Sequence, residues 1–121
     1  MADRMLMISW GSVVRGREER ALEVFNESVG LYGRLQQEGR IDGFDVALLV
    51  PNGGVDGYFQ LQGSSAQLAD VKEDERFKRA MIDASLIVED LRITDGYCNE
   101  GVAQQMGMWQ EAIEKVPQAT S

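Results

Sequence analysis

The stretch 50-VPNGGVDGYFQLQG-63 places two adjacent glycines between two apolar segments. In a phosphate-binding loop, a glycine-rich backbone of this kind leads into the N-terminus of a helix, whose N–H groups bind the anion. Here the following residues alternate between apolar and polar side chains, which is typical of a strand with one buried face. Asn52, Gly53 and Gly54 are therefore predicted to form the turn of a β-hairpin, where glycine allows the positive φ angles that such turns need.

Four segments have the short apolar or alternating pattern of β-strands. Residues 5–10 are almost entirely apolar, which predicts a central strand. After the glycine turn, Phe59 and Leu61 fall on one face of the strand and the polar side chains on the other. The predicted strands cover residues 5–10, 44–50, 55–62 and 85–94.

Three further parts of the chain have apolar residues at helical spacing. The first helix begins with an acidic residue, Glu18, which suits the positive end of a helix dipole. The second begins with a capping box formed by Ser64 and Gln67, and the charged residues 73–75 are predicted to divide it into two pieces. The third has Asn99 in the N-cap position. Its apolar ridge consists of Val102, Met106, Trp109 and Ile113.

The resulting order is βαββαβ followed by one more helix, which is the order of the split-βαβ, ferredoxin-like sandwich. We therefore predict a single α+β domain over residues 1–116 with a four-stranded antiparallel sheet, and a frayed tail over residues 117–121. Two helices would cover one face of this sheet. The other face is expected to carry many apolar residues and to drive association with a second copy of the chain.

Composition restricts the partners and the location of the protein. The 121 residues are enough for one core, and a net charge of −8 repels phosphate backbones, so neither nucleic acid nor an anionic membrane is an expected partner. The apolar run at the start is too short for a signal peptide, and no run approaches the roughly 18 residues that span a bilayer. Cys98 is the only cysteine, so the chain can form no internal disulfide. We expect a cytoplasmic protein.

The absence of histidine excludes several kinds of chemistry. With no imidazole in the sequence, there is no Ser-His-Asp or Cys-His nucleophile, no histidine-ligated haem and no zinc site of the usual catalytic type. A metal would have to be a hard cation held by carboxylates, and no spaced acidic loop indicates one. We therefore predict neither a metal nor a cofactor.

The element order over residues 5–93, together with the stretch 74-DERFKRAM-81, resembles the dimeric α+β barrel superfamily. That superfamily includes antibiotic-biosynthesis-type monooxygenases and stress-responsive barrel proteins. The resemblance implies a homodimer with a pocket between sheet and helices in each subunit. The haem-degrading relatives rely on histidine, which this chain lacks. The cofactor-independent oxygenases of this type use aromatic and amide side chains, which here could be Trp10, Tyr32, Tyr58, Trp109, Asn26 and Asn99.

Several side chains are candidates for ligand binding, although no position matches a catalytic motif and no catalytic residue is assigned. Tyr58, Gln60 and Gln62 share one face of the third predicted strand and could orient a small ligand, or else form a polar layer at a dimer interface or face water. Trp10 could wall a pocket or pack in the core. Glu89 interrupts the apolar face of the fourth predicted strand; buried there it would have a raised pKa and serve as a general base, whereas at a sheet edge it would reach solvent.

Two functions follow from these residues. The first is the binding of a small hydrophobic or aromatic metabolite by a cofactor-independent oxygenase or isomerase, in a pocket walled by Tyr32, Tyr58 and Trp10. The alternative is a non-catalytic ligand-binding or regulatory module. RNA recognition on the sheet is rejected, because Tyr58 and Phe59 are consecutive and point to opposite faces, whereas stacking aromatics must share one face.

Overall fold

The computed structural model describes residues 2–117 and 119. The predicted order and the ferredoxin-like α+β class are confirmed, with the second helix divided in two. Of the predicted tail, residues 118, 120 and 121 lie outside the described residues. The elements are β1 Arg4–Trp10, α1 Glu18–Gln37, β2 Gly43–Leu48, β3 Gly57–Gly63, α2 Ser65–Glu73, α3 Glu75–Ser85, β4 Arg92–Tyr97 and α4 Glu100–Glu114.

The four strands form one antiparallel sheet in the order β2-β3-β1-β4. The apolar side chains of the two central strands lie on one face, since Ile8 pairs with Phe59 and Leu6 pairs with Leu61. Helices α1, α2 and α3 cover this face and close the core over it. The buried core residues are Leu6, Ile8, Leu31, Tyr32, Leu35, Ile41, Phe59, Leu61, Leu68, Val71 and Phe77.

The local signals that the sequence contains are confirmed at the hairpin and at the start of α2. Gly53 has a φ of +77°, and the Asn52 side chain accepts a hydrogen bond from the Gly54 N–H at 2.8 Å. The hairpin strands are shorter than predicted, because residues 49–56 form the connection between them. Ser64 and Gln67 form the predicted capping box.

The predicted fourth strand, residues 85–94, is placed wrongly: β4 covers Arg92–Tyr97 instead. Helix α3 continues to Ser85, and residues 86–91 form a crossing segment that leads from the helix to the sheet edge. The backbone of Glu89 fixes this segment, because its carbonyl accepts from the Gly11 N–H and its N–H donates to the Ser12 carbonyl, both at 2.8 Å. The apolar alternation that predicted a strand therefore arises from a segment of irregular backbone.

The face of the sheet away from α1–α3 is less apolar than expected. Met5 and Met7 of β1 lie beside polar residues of β3 and β4, such as Gln60 and Thr94. This open face is a mixed surface, so the expectation of many apolar residues there is wrong.

Helix α4 begins at the end of the sheet and presents apolar side chains to solvent. Gly101 is buried, and a Cβ at this position would collide with the backbone carbonyl oxygen of Asp3. Asn99 occupies the N-cap position, but its side chain donates to the Ala2 carbonyl at 2.7 Å rather than capping the helix. Trp109 is 66% exposed. Among the described residues, no helix has the length and apolar character to cross a membrane.

Candidate functional site

A cavity of about 340 Å³ lies between the helix-covered face of the sheet and helices α1 and α3. Ile8 and Trp10 of β1 and Phe59 of β3 form its floor. A volume of this size falls within the range of about 300–1,000 Å³ that small-molecule sites occupy. The cavity is therefore the candidate functional site.

Helix α1 forms one wall of the cavity. Ala21, Phe25, Ser28 and Tyr32 recur every three or four residues, which places them on the same side of the helix, and all four line the cavity. Two of these four residues are small, so α1 lies over the sheet there without filling the space.

The crossing segment and the end of α3 form the opposite wall. Met81 and Ala84 come from α3, and Ile87, Val88 and Leu91 come from residues 86–91. Because the crossing segment follows an irregular path, its apolar side chains face the cavity rather than a neighbouring strand. This wall is entirely apolar.

Four aromatic rings pack together at the floor and the α1 wall. The Phe59 ring centroid lies 5.5 Å from that of Trp10, 5.4 Å from that of Phe25 and 4.9 Å from that of Tyr32. Gly57 makes room for the Trp10 indole, because a Cβ at residue 57 would lie 2.6 Å from Trp10 Cζ2. The rings give the cavity an extended aromatic surface of the kind that binds flat apolar molecules.

The cavity contains few polar side chains. Ser28 donates its hydroxyl hydrogen to the Val24 carbonyl at 2.8 Å. Glu18 lies at the exposed rim, where hydrogen bonds from backbone N–H groups hold the pKa of its carboxyl below the usual value. Both groups are thus occupied by contacts within α1 and its N-terminal turn.

Tyr32 differs from these polar groups. Its side chain is fully buried in the core cluster and lines the cavity. Its hydroxyl has no hydrogen-bond partner among the described residues, and burial raises the pKa of the phenol above its ordinary value. The hydroxyl is therefore neutral, and it is the one buried side-chain group in the described part of the chain whose hydrogen-bonding capacity is unused.

The structure brings together only two of the residues that the sequence singled out. Trp10 and Tyr32 line the cavity. Tyr58, Gln60 and Gln62 lie on the open face of β3, on the opposite side of the sheet. The predicted pocket wall that combined Tyr58 with Tyr32 and Trp10 is therefore wrong, because alternation along β3 separates them.

The remaining sequence candidates lie outside the cavity. Glu89 is exposed in the crossing segment rather than buried on a strand face, so the geometry that would make it a buried general base is absent. Asn26 is exposed on α1, and Trp109 projects from α4.

Sequence reasoning overlooked most of the cavity wall. Phe25 and Ser28 could have been assigned with Tyr32, since the three share one side of α1. Ile87 and Leu91 could not have been assigned to the cavity wall, because their alternation suggested a strand. Only the path of the crossing segment turns them towards the cavity.

The described residues contain no group of three or more histidine, cysteine, aspartate or glutamate side chains placed to hold a metal ion. Cys98 is half-buried away from the cavity, and desolvation by burial raises the pKa of its thiol. A raised pKa disfavours the reactive thiolate at neutral pH.

A second cavity, of about 380 Å³, lies between α2 and the β1–β4 edge of the sheet. Its rim is polar, and Lys72 and Asp95 form an ion pair across it at 3.0 Å. Both charges are satisfied by each other, so this cavity has no unused polar group comparable to Tyr32.

Comparison with known proteins supports the fold and leaves the chemistry open. The sequence matches no family model and no curated protein. Among solved structures, it is similar to a dimeric protein of unknown function and ferredoxin-like fold from Bacteroides fragilis, with a TM-score of 0.62, 12% identity and coverage of 81% of this chain and 98% of that one. A dimeric ferredoxin-like protein of unknown function from Jannaschia has a TM-score of 0.61, 12% identity and coverage of 80% and 98%.

The chain is also similar to SnoaB, a cofactor-independent oxygenase from Streptomyces nogalater. The TM-score is 0.50 and the identity 14%, with coverage of 81% of this chain and 93% of SnoaB. At such identities the likeness is one of fold. The resemblance of the sequence to dimeric ferredoxin-like proteins is thereby confirmed at the level of fold.

Proposed function

We propose that this protein binds a small, largely hydrophobic or aromatic molecule in the cavity between its sheet and helices, and that it does so as a homodimer. The observation that carries the proposal is a cavity of about 340 Å³ with an aromatic floor and apolar walls. The lining includes Leu22 and Leu48, whose side chains are 63% and 70% exposed, so the cavity opens to solvent. A concave, mostly apolar pocket of this size is the usual form of a small-molecule site.

The volume sets the size of the ligand. An apolar cavity of about 150 Å³ is large enough to bind benzene. A cavity of about 340 Å³ therefore has room for roughly two or three fused rings. The aromatic floor of Trp10 and Phe59 favours a flat molecule.

Two observations support the homodimer. The similar proteins from Bacteroides fragilis and Jannaschia are both described as dimeric. In this chain, Val102, Met106 and Trp109 of α4 recur at helical spacing and are 48%, 55% and 66% exposed. Apolar side chains aligned in this way on a helix indicate a surface that a second copy covers.

A cofactor-independent oxygenase or isomerase is the second candidate, favoured by the fold likeness to SnoaB. The ionisable groups at the cavity are Glu18, whose pKa is lowered, and Tyr32, whose pKa is raised. Neither has the pKa near the working pH that an efficient general base needs. A substrate would have to lose its proton readily on its own, so a non-catalytic or regulatory ligand-binding module accounts for the cavity more directly.

The binding proposal is tested by filling the cavity. Ala84 lines the cavity from α3, and Ala103 is an exposed helical alanine on α4. Tetralin, an oxygen-free two-ring hydrocarbon, should raise the unfolding temperature of the wild type and of Ala103→Phe but not that of Ala84→Phe. An equal response of all three proteins, or none from the wild type, contradicts the proposal.

Catalysis is tested separately. Oxygen consumption or product formation with a bound phenolic compound, abolished by Ala84→Phe, would favour the oxygenase over the binding module. Binding without turnover would favour the module. Cytoplasmic residence remains a prediction from the sequence.

A further inference from the structure

We infer that Glu18 selects the ligand by charge, so that the cavity takes ring compounds with a positively charged amine at the mouth and disfavours those with a carboxylate. This inference rests on the proposed binding function and specifies the ligand class. It starts from the position of Glu18, which lines the cavity and is exposed, so that a molecule in the cavity can reach its carboxylate.

One side of α1 leads from the mouth of the cavity to its interior. Glu18, Ala21, Phe25 and Ser28 line the cavity at intervals of three or four residues, which places them on the same side of the helix. Glu18 is exposed, Ala21 and Phe25 are half-buried, and Ser28 is buried. Ala21 lies about 5 Å along the helix axis from Glu18, since each residue adds about 1.5 Å. A ring that packs against Ala21 and Phe25 therefore has its outer substituent at Glu18.

The mouth of the cavity has a negative charge that no lining residue balances. Glu18 is the charged residue among those that line the cavity, and none of them is a lysine or an arginine. The adjacent Arg17 does not line the cavity, and its guanidinium donates to the Leu86 carbonyl. A cation at the mouth is attracted, whereas a carboxylate is repelled there and is buried without a counter-charge if it moves deeper.

The Glu18 carboxylate is held in place by backbone groups. It accepts a hydrogen bond from the Gly16 N–H at 3.1 Å, and Gly16 has a φ of +88°, a conformation that favours glycine. The backbone N–H groups of Glu18 and Gly16 lower the pKa of the carboxyl, so the group is negatively charged at neutral pH. A carboxylate has about four acceptor positions. Glu18 therefore keeps the capacity to accept from an ammonium group.

The test compares three ligands of nearly equal shape: 2-aminotetralin, 2-methyltetralin and tetralin-2-carboxylate, which are positive, neutral and negative at pH 7. Equilibrium dialysis at low ionic strength measures their affinities. Wild-type protein should bind the amine about tenfold more tightly than the carboxylate. Glu18→Gln keeps the size of the side chain and an acceptor for the Gly16 N–H. It should weaken amine binding about threefold, strengthen carboxylate binding about threefold and leave 2-methyltetralin unchanged, as expected for an exposed charge pair.

Glu19→Gln is the matched control. Glu19 is also an exposed acidic residue in the first turn of α1, but it does not line the cavity. Its substitution removes the same charge from the same end of the helix, and it should leave the ratio of amine to carboxylate affinity close to that of the wild type. If Glu19→Gln lowers the ratio as much as Glu18→Gln does, the net charge of the protein causes the preference and the inference fails.

The outcomes separate this inference from the proposed function. If 2-methyltetralin binds and Ala84→Phe blocks it, but the wild type shows no preference for the amine or Glu18→Gln keeps that preference, only this inference fails. If none of the three compounds binds the wild type, both fail. A merely structural role of Glu18 would change all three affinities in the same direction, whereas loss of a selecting charge changes two of them in opposite directions.

Discussion

Replacing Tyr32 by phenylalanine should stabilise the ligand-free protein. The substitution keeps the ring and deletes only the hydroxyl. That hydroxyl is buried without a partner among the described residues. On folding it therefore loses its hydrogen bonds to water and gains none within the protein. Deleting it relieves the folded state of that cost.

The size of the effect follows from the packing. The ring contacts with Phe44 and Phe59 are retained, so no cavity or overpacking penalty arises. Leaving a buried donor or acceptor unsatisfied costs about 1–3 kcal/mol. We expect a gain at the low end, about 1 kcal/mol in the free energy of unfolding, which raises the melting temperature by roughly 3–6 °C for a domain of this size.

Urea titration and thermal unfolding of the ligand-free protein measure this gain. Tyr58→Phe is the matched control, because it deletes a tyrosine hydroxyl on the open face of the sheet, where the residue is only half-buried. Its effect should stay within about 0.5 kcal/mol.

A loss of stability in Tyr32→Phe would refute the reasoning. It would mean that the hydroxyl has a partner in the ligand-free protein, such as a bound water.

Two further predictions concern stability at low pH and the dimer. Asp74 caps α3, and the hydrogen-bonded Arg76 side chain is the main reason why its pKa is lowered from 3.8 to about 2. The Asp74 carboxylate therefore stabilises the fold above about pH 4, and this contribution is lost as the pH falls towards 2. The full shift corresponds to roughly 2 kcal/mol, and because the Arg76 side chain is 38% exposed, screening reduces the expected effect to about 1 kcal/mol. Asp74→Ala should therefore destabilise the protein in urea titrations at pH 7, and the difference from wild type should shrink below about pH 4; a difference that is constant with pH contradicts this. Trp109→Glu should weaken the dimer by about 30-fold in sedimentation equilibrium, as for an aromatic anchor at an interface, whereas Gln104→Glu, which adds the same charge on the opposite side of α4, should leave it unchanged. Equal behaviour of the two variants would remove α4 from the interface.

The fold was predictable where local and global signals agree. The residues of the glycine turn, 52–54, and of the capping box at Ser64 each favour one local backbone conformation, and the structure has that conformation at both places. The fourth strand was misplaced because Ile87, Leu91 and Ile93 alternate like a strand. In the structure only Ile93 is in β4, while the other two line the cavity, and a sequence pattern does not distinguish burial in a sheet from burial against a cavity.

The candidate site was predictable only in part for a related reason. Trp10 ends the apolar stretch of residues 5–10, and Tyr32 lies at helical spacing from Phe25 and Ser28, so the pattern of the sequence places both towards the core. Grouping Tyr58 with them contradicted the alternation that placed Phe59 in that core. The polar side chains of β3 attracted attention because they can form hydrogen bonds, but they belong to the open face of the sheet.

The cavity exists because small residues occupy helix positions at which larger side chains would fill the space above the sheet. Ala21 and Ser28 on α1 and Ala84 on α3 all face the sheet, and all three line the cavity. A leucine or phenylalanine at any of them would extend into the space between helix and sheet, whereas the aromatic rings at the floor hold the layers apart. Since lost packing contacts cost stability, three small residues around one apolar pocket are better explained by an occupant than by imperfect packing. Ala84→Phe should therefore make the ligand-free protein more stable and also abolish tetralin binding. If the variant is more stable but still binds tetralin, the cavity is not the binding site.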